Sequence, residues 1–382
     1  MIDVVEVRRV LHRRPEIGLL NPYAQSVVLA ALAGLELEVR TGERLTSVVA
    51  TLEGARPGPT VLLRADTDAL PVWEETGLAF ASEVPGAMHA CGHDAHTAML
   101  LGAAHVLAAQ RNELAGRVVF AFQPGEEGAG GAAAMVEEGL LDGVDAAFAL
   151  HVTPQLPTGS VALRAGPLMA SADVFTIVVR GSGGHGSVPH EAVDPITVAC
   201  AIVGQLATVV PATADAWDPA VLTVGRIKAG DAPNVLPSTA ELAGTVRAVS
   251  EPTRAAVRTR LDSVVAGIAA AHDADAAVLW SNPCGVTVND AAVAAHVGAA
   301  AREYLMVHEL PTPVMASEDF SAVLAGVPGA MAFLGAGAAH LPSGPVHSPR
   351  LLIDEQALEH GVALHTAVTR RLLASITTNG ET

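Results

Sequence analysis

The apolar positions of the first third of the chain switch repeatedly between two periods. Val4 to His12 places apolar residues three and four apart, which predicts a helix, and Pro22 to Ala33 predicts a second with proline in its first turn. Thr60 to Arg64 is a short apolar run leading to Asp66 and Asp68; it reads as a buried strand that feeds a loop. Asp94 to Gln110 returns to helical spacing and opens on an acidic residue, as the positive end of a helix dipole favours. Arg117 to Phe122 predicts a second buried strand, running into Gln123-Pro124-Gly125-Glu126-Glu127-Gly128, and Ala146 to Val152 a third that carries His151 near its end. Apolar strands separated by helices imply an α/β fold with a mostly parallel sheet covered on both faces. In such sheets polar residues gather at the carboxyl ends of the strands.

The pattern changes near Ala172. Val174 to Arg180 is strand-like, Ile196 to Val209 helical, Val221 to Lys228 and Thr239 to Val249 strand-like, Thr253 to Ala271 helical and Ala274 to Trp280 strand-like. That β-α-β-β-α-β order predicts a compact α+β, ferredoxin-like unit. The α/β pattern resumes afterwards, with helices at Ala291 to Tyr304 and Asp354 to Leu373 and a strand at Ala330 to Leu334. The expected organisation is therefore a catalytic α/β domain in two parts, residues 1–171 and 285–382, around an inserted domain at 172–284. Thr377 to Thr382 are expected to fray.

Composition narrows the picture. A chain of 382 residues, half of them apolar and 16% charged, builds a large core and excludes disorder as the dominant state. Lys and Arg total 22 against 40 Asp and Glu, a net charge of −18. Such a balance repels nucleic acid and anionic membranes. The three cysteines, Cys91, Cys200 and Cys284, offer no disulfide framework and suit a reducing, cytoplasmic compartment. Cys200 lies in an apolar helix and reads as core. The first residues lack a basic-then-apolar leader pattern, and no uncharged apolar run reaches the ~18 residues of a membrane span.

Candidate chemistry sits at the predicted strand ends. In His89-Ala90-Cys91-Gly92-His93-Asp94-Ala95-His96 a thiol and an imidazole two residues apart can face one cation. Thiolate and imidazole suit zinc, nickel, cobalt or iron, and carboxylate partners admit manganese. Glu126 and Glu127 are adjacent carboxylates that repel unless a cation or water lies between them. One can ligate a metal while the other faces the water that the metal acidifies. Asp66 and Asp68 share a face if the chain is extended; one of them can ligate, or orient a ligating histidine. His151 and His347 are isolated histidines, His151 at a strand end and His347 between two prolines. In the predicted inserted domain, Gly183-Gly184-His185-Gly186-Ser187 presents His185 where it can donate to an oxyanion. Asn234 and Arg247 are candidates for holding a substrate carboxylate. Ser317-Glu318-Asp319-Phe320 reads as a helix cap, and His12, His105, His296 and His360 as structural or exposed residues of helices.

Taken in order, Arg64 to Pro71, His89 to His96, Gly125 to Gly128, the His151 strand end, Gly184 to Pro189, Ala232 to Pro237, Gly244 to Arg247 and Ser317 to Phe320 make a specific set. With Leu11 to Glu16 and His347 to Arg350 at its two ends, nearly the whole chain resembles the aminoacylase-like metallopeptidases. The branch is that of bacterial N-acyl-amino-acid amidohydrolases, hippurate hydrolases and auxin-conjugate hydrolases. The resemblance implies two divalent ions, zinc or manganese with cobalt or nickel as alternatives. They would be held by Cys91, His93, Glu127, His151 and His347, with Cys91 bridging. It implies Glu126 as general base and Asp68 as the residue that orients a metal-bound histidine. Asp66 stands where the wider family carries a metal-binding histidine, a role that the His93 loop takes over in this branch. The inserted domain resembles a lid that forms the contact of a homodimer, so that His185 completes the neighbouring subunit's site. Arg14 replaces a histidine of the opening motif, and His340 competes with His347 as last ligand.

The expectation is hydrolysis of the amide bond of N-acyl amino acids or related conjugates by a metal-bound water. Three alternatives stand beside it: a dipeptidase with the same metals, a cysteine hydrolase built on Cys91 and His93, and a non-catalytic metal- or ligand-binding relative. The adjacent Glu pair argues against the last two, because neither a thiol nucleophile nor metal storage needs it.

Overall fold

The structure, a computed structural model, describes residues 2–379. The elements begin with α1 (Val4–Arg13), α2 (Pro22–Leu32), β1 (Glu38–Thr41), β2 (Val48–Glu53), β3 (Arg56–Asp66), α3 (His93–Ala109), β4 (Ala115–Gln123), α4 (Gly131–Glu137), β5 (Ala146–Pro157), β6 (Ser160–Leu163) and β7 (Gly166–Met169). They continue with β8 (Ala172–Arg180), β9 (Gly184–His185), α5 (Pro195–Val209), β10 (Ala220–Ala229), β11 (Val235–Leu236), β12 (Thr239–Ala248), α6 (Glu251–Ala271) and β13 (Asp275–Cys284). The last group is β14 (Thr287–Asn289), α7 (Ala291–Ala301), β15 (Met306–Glu309), α8 (Ser321–Leu324), β16 (Gly329–Gly337) and α9 (Gln356–Asn379). The chain divides into two compact units. Unit 1 takes the chain up to Leu168, then Val288–Thr312, then Asp319 onward, and unit 2 takes Met169–Thr287 and Pro313–Glu318.

Unit 1 is built on one sheet with strand order β1-β2-β4-β3-β5-β16-β6-β15. Its centre, β4-β3-β5-β16, is parallel, and β1 and β2 join antiparallel at one edge. Val61, Leu62 and Leu63 of β3 are all fully buried, which requires cover on both faces and explains the unbroken apolar run. Aromatics are few, so Leu100 and Leu101 of α3 and Leu364 and Val368 of α9 fill the core around Phe120 and Phe148. Register then aligns the strand ends: Asp66 pairs with Gln123, Arg64 with Ala149 and Phe333 with His151. The acids of β3, the turn after β4 and His151 therefore reach one edge.

Unit 2 carries a four-stranded antiparallel sheet, β10-β12-β8-β13. The crossovers through α5 and α6 each skip one strand, the ferredoxin-like arrangement. Phe175, Ile177, Val198, Ile202, Leu242, Val257 and Leu261 form its core, and burial alternates along β8 because only one face is covered by helices.

Two sequence expectations fail locally. Cys200 is exposed, because α5 turns Val198, Ala199, Ile202, Leu206 and Val209 inward and Cys200 falls on the opposite side. Ser317 to Phe320 do not cap the helix that follows them: α8 begins after Phe320 with no side-chain capping bond. The last helix, α9, runs to Asn379, and residues 380–382, the end of the segment expected to fray, lie outside the described residues. Among the described residues no helix is long and apolar enough to cross a membrane.

Candidate metal centre

Local backbone geometry dictates how the donors are presented. Gly92 has φ +86°, and a Cβ there would lie 2.5 Å from Val152 Cγ2, so only glycine lets Cys91 and His93 turn to the same side. His93 opens α3. After β4 the chain turns back, and the Asp68 carboxylate accepts the N–H groups of Glu126 (3.0 Å) and Glu127 (3.1 Å). One acid thus sets the positions of two others. His347 lies in a loop and has φ +67°, uncommon for a residue with a Cβ. Its N–H donates to Ala90 O at 2.7 Å, which ties this loop to the Cys91 turn.

These side chains converge. Cys91, His93 and His151 form one donor triad and Cys91, Glu127 and His347 another, the atoms of each lying within 4.8 Å of one another; His93, Glu126 and Glu127 form a third. The first two share Cys91. Cys91 Sγ lies 3.3 Å from His151 Nε2, and His347 Nε2 lies 3.2 Å from Glu127 Oε1. His340 is exposed and belongs to none of these groups among the described residues.

The donor set fits divalent ions. His93 is buried, yet neither ring nitrogen completes a hydrogen bond among the described residues: Nδ1 stands 3.5 Å from Asp68 and Nε2 3.6 Å from Asp66. Burial alone would disfavour charge on His93, but Asp66 and the Cys91 sulfur outweigh it and favour positive charge at that point. Burial pushes the Cys91 thiol up, out of reach of neutral pH, so a thiolate there requires a cation against the sulfur. Burial also holds His151 down, at about 3, which keeps its Nε2 lone pair free.

Behind the donors lies a second buried network that sequence reading did not assemble. Arg64 donates to Asp66 Oδ2 (2.7 Å), to Asp319 Oδ1 (2.8 Å) and to Gln123 Oε1 (2.8 Å). Asp319 also accepts from Gln123 Nε2 and from the Ala132 N–H in the first turn of α4, so it cross-links β3, β4 and the start of α4 and does not cap the helix that follows it. His96 bridges Asp66 and Val152. On the far side of α3, Asp94 accepts from Arg8 Nε (3.1 Å) and pairs with His12 Nδ1 at 2.8 Å. Burial would lower His12, but the Asp94 charge lifts it to about 9.

Unit 2 brings two of its three candidates together. His185 in β9 pairs with Val235 in β11, and Gly186 N–H donates to Asn234 O at 2.9 Å. The Ser187 N–H donates to His185 Nδ1 at 3.1 Å. Arg247 stands elsewhere, near the end of β12 opposite Val221. β9 follows the end of β8, where Arg180 pairs with Thr239, so Arg247 is eight residues away along β12, roughly 25 Å at about 3.3 Å per residue. One small substrate cannot reach His185 and Arg247 of the same unit.

Clustered metal donors at the carboxyl edge of an open α/β sheet, with a spare carboxylate beside them, define a metal-dependent hydrolase. The chain belongs to peptidase family M20/M25/M40, whose profile matches residues 62–371. Thermostable carboxypeptidase 1 of Saccharolobus solfataricus is 38% identical over 371 residues, covering 95% of this chain and 93% of its own. N-acetyl-L-cysteine deacetylase of Bacillus subtilis is 38% identical over 373 residues, covering 98% and 89%. A solved Bacillus subtilis structure, described as a dinuclear metal-binding peptidase of the M20 family, superposes with a TM-score of 0.85 at 35% identity and covers 98% of both chains.

Proposed function

We propose that this chain hydrolyses the amide bond of small N-acyl amino acids or related conjugates, using two divalent ions held by Cys91, His93, Glu127, His151 and His347. The observation that carries this reading is the pair of donor triads sharing Cys91, with Glu126 at the same turn as the ligand Glu127. The relative named N-acetyl-L-cysteine deacetylase supports the acyl-amino-acid class, and the solved dinuclear neighbour supports two ions. Zinc or manganese matches the mixed thiolate, imidazole and carboxylate donors. When bound, the ions supply Lewis acidity, acidifying a water and polarising the scissile carbonyl.

The protein's own residues do the rest. Glu126 takes the proton of the attacking water and returns it to the leaving amine. Asp68 holds the Glu126 and Glu127 amides and faces His93, which keeps base and ligands in register. His185 stabilises the oxyanion: its Nδ1 accepts the Ser187 N–H, which leaves the ring proton on Nε2, the tautomer a donor needs. Asn234 and Arg247 hold the substrate carboxylate. The distance between Arg247 and the His185–Asn234 pair favours a homodimer in which each subunit's His185 serves its neighbour. Edge strand β10, with Val221 and Ile227 exposed, suits antiparallel pairing with a second copy. Residues 1–171 and 285–382 form the catalytic domain, and 172–284 the inserted lid. The compartment is reducing and cytoplasmic, in keeping with three free cysteines.

The test is release of free amine from N-acetyl, N-benzoyl and longer N-acyl amino acids, and from dipeptides, before and after chelation. Release that chelation abolishes and added divalent ion restores is the expected result. Release that survives complete metal removal overturns it and points to Cys91 as nucleophile. Preference for dipeptides would shift the substrate class towards that of the carboxypeptidase relative.

A further inference from the structure

The parallel ladder between β3 and β5 runs from Val61–Ala146 to Arg64–Ala149 and stops there. Beyond it the two strands no longer pair, which leaves a gap between Asp66, the last residue of β3, and Val152, which lies inside β5; both flank the donor cluster. Something must occupy that gap, since backbone groups left bare in a dry interior are costly. The occupant is the His96 ring, 1% exposed, from the first turn of α3. His96 Nδ1 lies 2.6 Å from Asp66 Oδ1, and Val152 N–H donates to His96 Nε2 at 2.9 Å. The neighbouring Thr97 hydroxyl donates to Asp66 O at 2.9 Å, so two consecutive residues of α3 fasten the tip of β3.

The protonation of this ring follows from its partners. A backbone amide can only donate, so Nε2 must present a lone pair and the ring proton must sit on Nδ1, donated to Asp66. The other polar group of Val152 is also taken: its C=O accepts from His151 Nδ1 at 2.7 Å. That bond leaves the His151 lone pair on Nε2, the atom 3.3 Å from Cys91 Sγ. Both backbone groups of Val152 are thus gripped by imidazoles, one from α3 and one from the preceding residue. Asp66 is fully committed, with Oδ1 to His96 and Oδ2 to Arg64. The Arg64 guanidinium already supplies the positive charge there, so the Asp66–His93–His96 group is not a further metal site.

We propose that His96 is a positioning residue: an imidazole fixed in the Nδ1–H form by Asp66, which clamps the end of β3 to β5 at Val152 and so sets the direction in which His151 presents its ligand nitrogen. Asp66 is then the anchor of that tautomer, not a ligand. The proposal rests on the reading of His151 as a metal ligand.

Two substitutions separate the halves of the clamp. His96→Gln keeps an acceptor within reach of the Val152 amide and gives up the donor to Asp66. His96→Asn keeps the donor and gives up the acceptor. Metal-free protein is titrated with zinc ion in competition with a chromogenic chelator. The Asn variant is expected to bind one of two zinc equivalents on the order of 10- to 100-fold more weakly, the usual effect of losing support behind a ligand. The Gln variant stays within a few-fold of the unsubstituted chain. Equal zinc affinity in the two variants overturns the proposal. A second measurement needs no variant: in nitrogen-15 histidine spectra of the metal-loaded chain, the ring in contact with the Val152 amide is expected to be neutral with its proton on Nδ1. A proton on Nε2, or a doubly protonated ring, overturns the proposal while two bound zinc ions leave the ligand reading intact. An unsubstituted chain that binds no zinc overturns the ligand reading and the proposal together.

Discussion

The carboxyl edge of the unit 1 sheet and the His185 strand of unit 2 both carry proposed catalytic groups, yet they are built in opposite ways. At the sheet edge Asp66, Asp68, His93 and His96 are at most 1% exposed, and the acids have fixed partners in Arg64, His96 and the Glu126–Glu127 amides. His185 is exposed, on a two-residue strand, and among the described residues its ring is tied only to Ser187. The first arrangement fixes charge in a dry, low-dielectric setting before any substrate arrives. The second leaves the donor free to be ordered later. Unit 1 should therefore behave as the rigid half of the chemistry and the His185 segment as the adaptable half.

The largest expected effect is at Glu126. Glu126→Gln should lower kcat on the order of 10²- to 10⁴-fold while metal content, measured by elemental analysis, stays at the native level. Retained activity would remove the proton-transfer role from this residue. Next is the rigid half itself. Arg64→Met leaves Asp66 and Asp319 buried without their cation and should destabilise unit 1 by about 3–5 kcal/mol. Hydrogen exchange read peptide by peptide should show faster opening of β3, β4 and α3, with β8 and β12 unchanged; uniform exchange in both units would erase the contrast. For the adaptable half, His185→Ala should lower kcat roughly 10²- to 10³-fold with no loss of metal and with stability within about 0.5 kcal/mol, because the side chain is exposed. A large drop in melting temperature would show that His185 is structural.

A smaller effect concerns pH. His12 is raised from 6.5 in the unfolded chain to about 9 when folded, so the folded state binds its proton more tightly. Its contribution is complete below pH 6.5 and is lost as pH rises through about 9, on the order of 3–4 kcal/mol at about 1.4 kcal/mol per unit. Chemical unfolding followed from pH 6 to pH 10 should show this decline, and His12→Gln should flatten it.

What the sequence reveals and conceals follows from the range of each interaction. Val61 to Leu63, Val118 to Phe122 and Ala146 to Leu150 are continuous apolar runs, and burial on both faces of a parallel sheet leaves that trace in any chain. Cys91 and His93 are readable because their spacing is local. The Arg64–Asp319 bond spans 255 positions, and the bonds of His96 span 30 and 56, so no window of sequence contains both partners. Ser317-Glu318-Asp319 reads as a cap of the following helix because an acid before an apolar run looks the same whether it faces that helix or, as Asp319 does, a distant guanidinium and the start of α4. Cys200 was misplaced because α5 is apolar on nearly every side, and an all-apolar helix does not announce which face is outward.

The threading of unit 1 also constrains how the protein is made. Strands β5 and β6 are separated by only two residues along the chain, Thr158 and Gly159, yet in the sheet β16 lies between them. While the ribosome is still synthesising unit 2, that slot has no strand to fill it, and β6 has neither of its final neighbours, β15 and β16. Cys91, His93, Glu127 and His151 have by then all emerged, whereas His347 follows almost two hundred residues later. The nascent first segment must therefore wait with a gap in its sheet and an incomplete set of metal donors. Unit 2, nearly contiguous in the chain, has all four strands of its sheet before that gap can close.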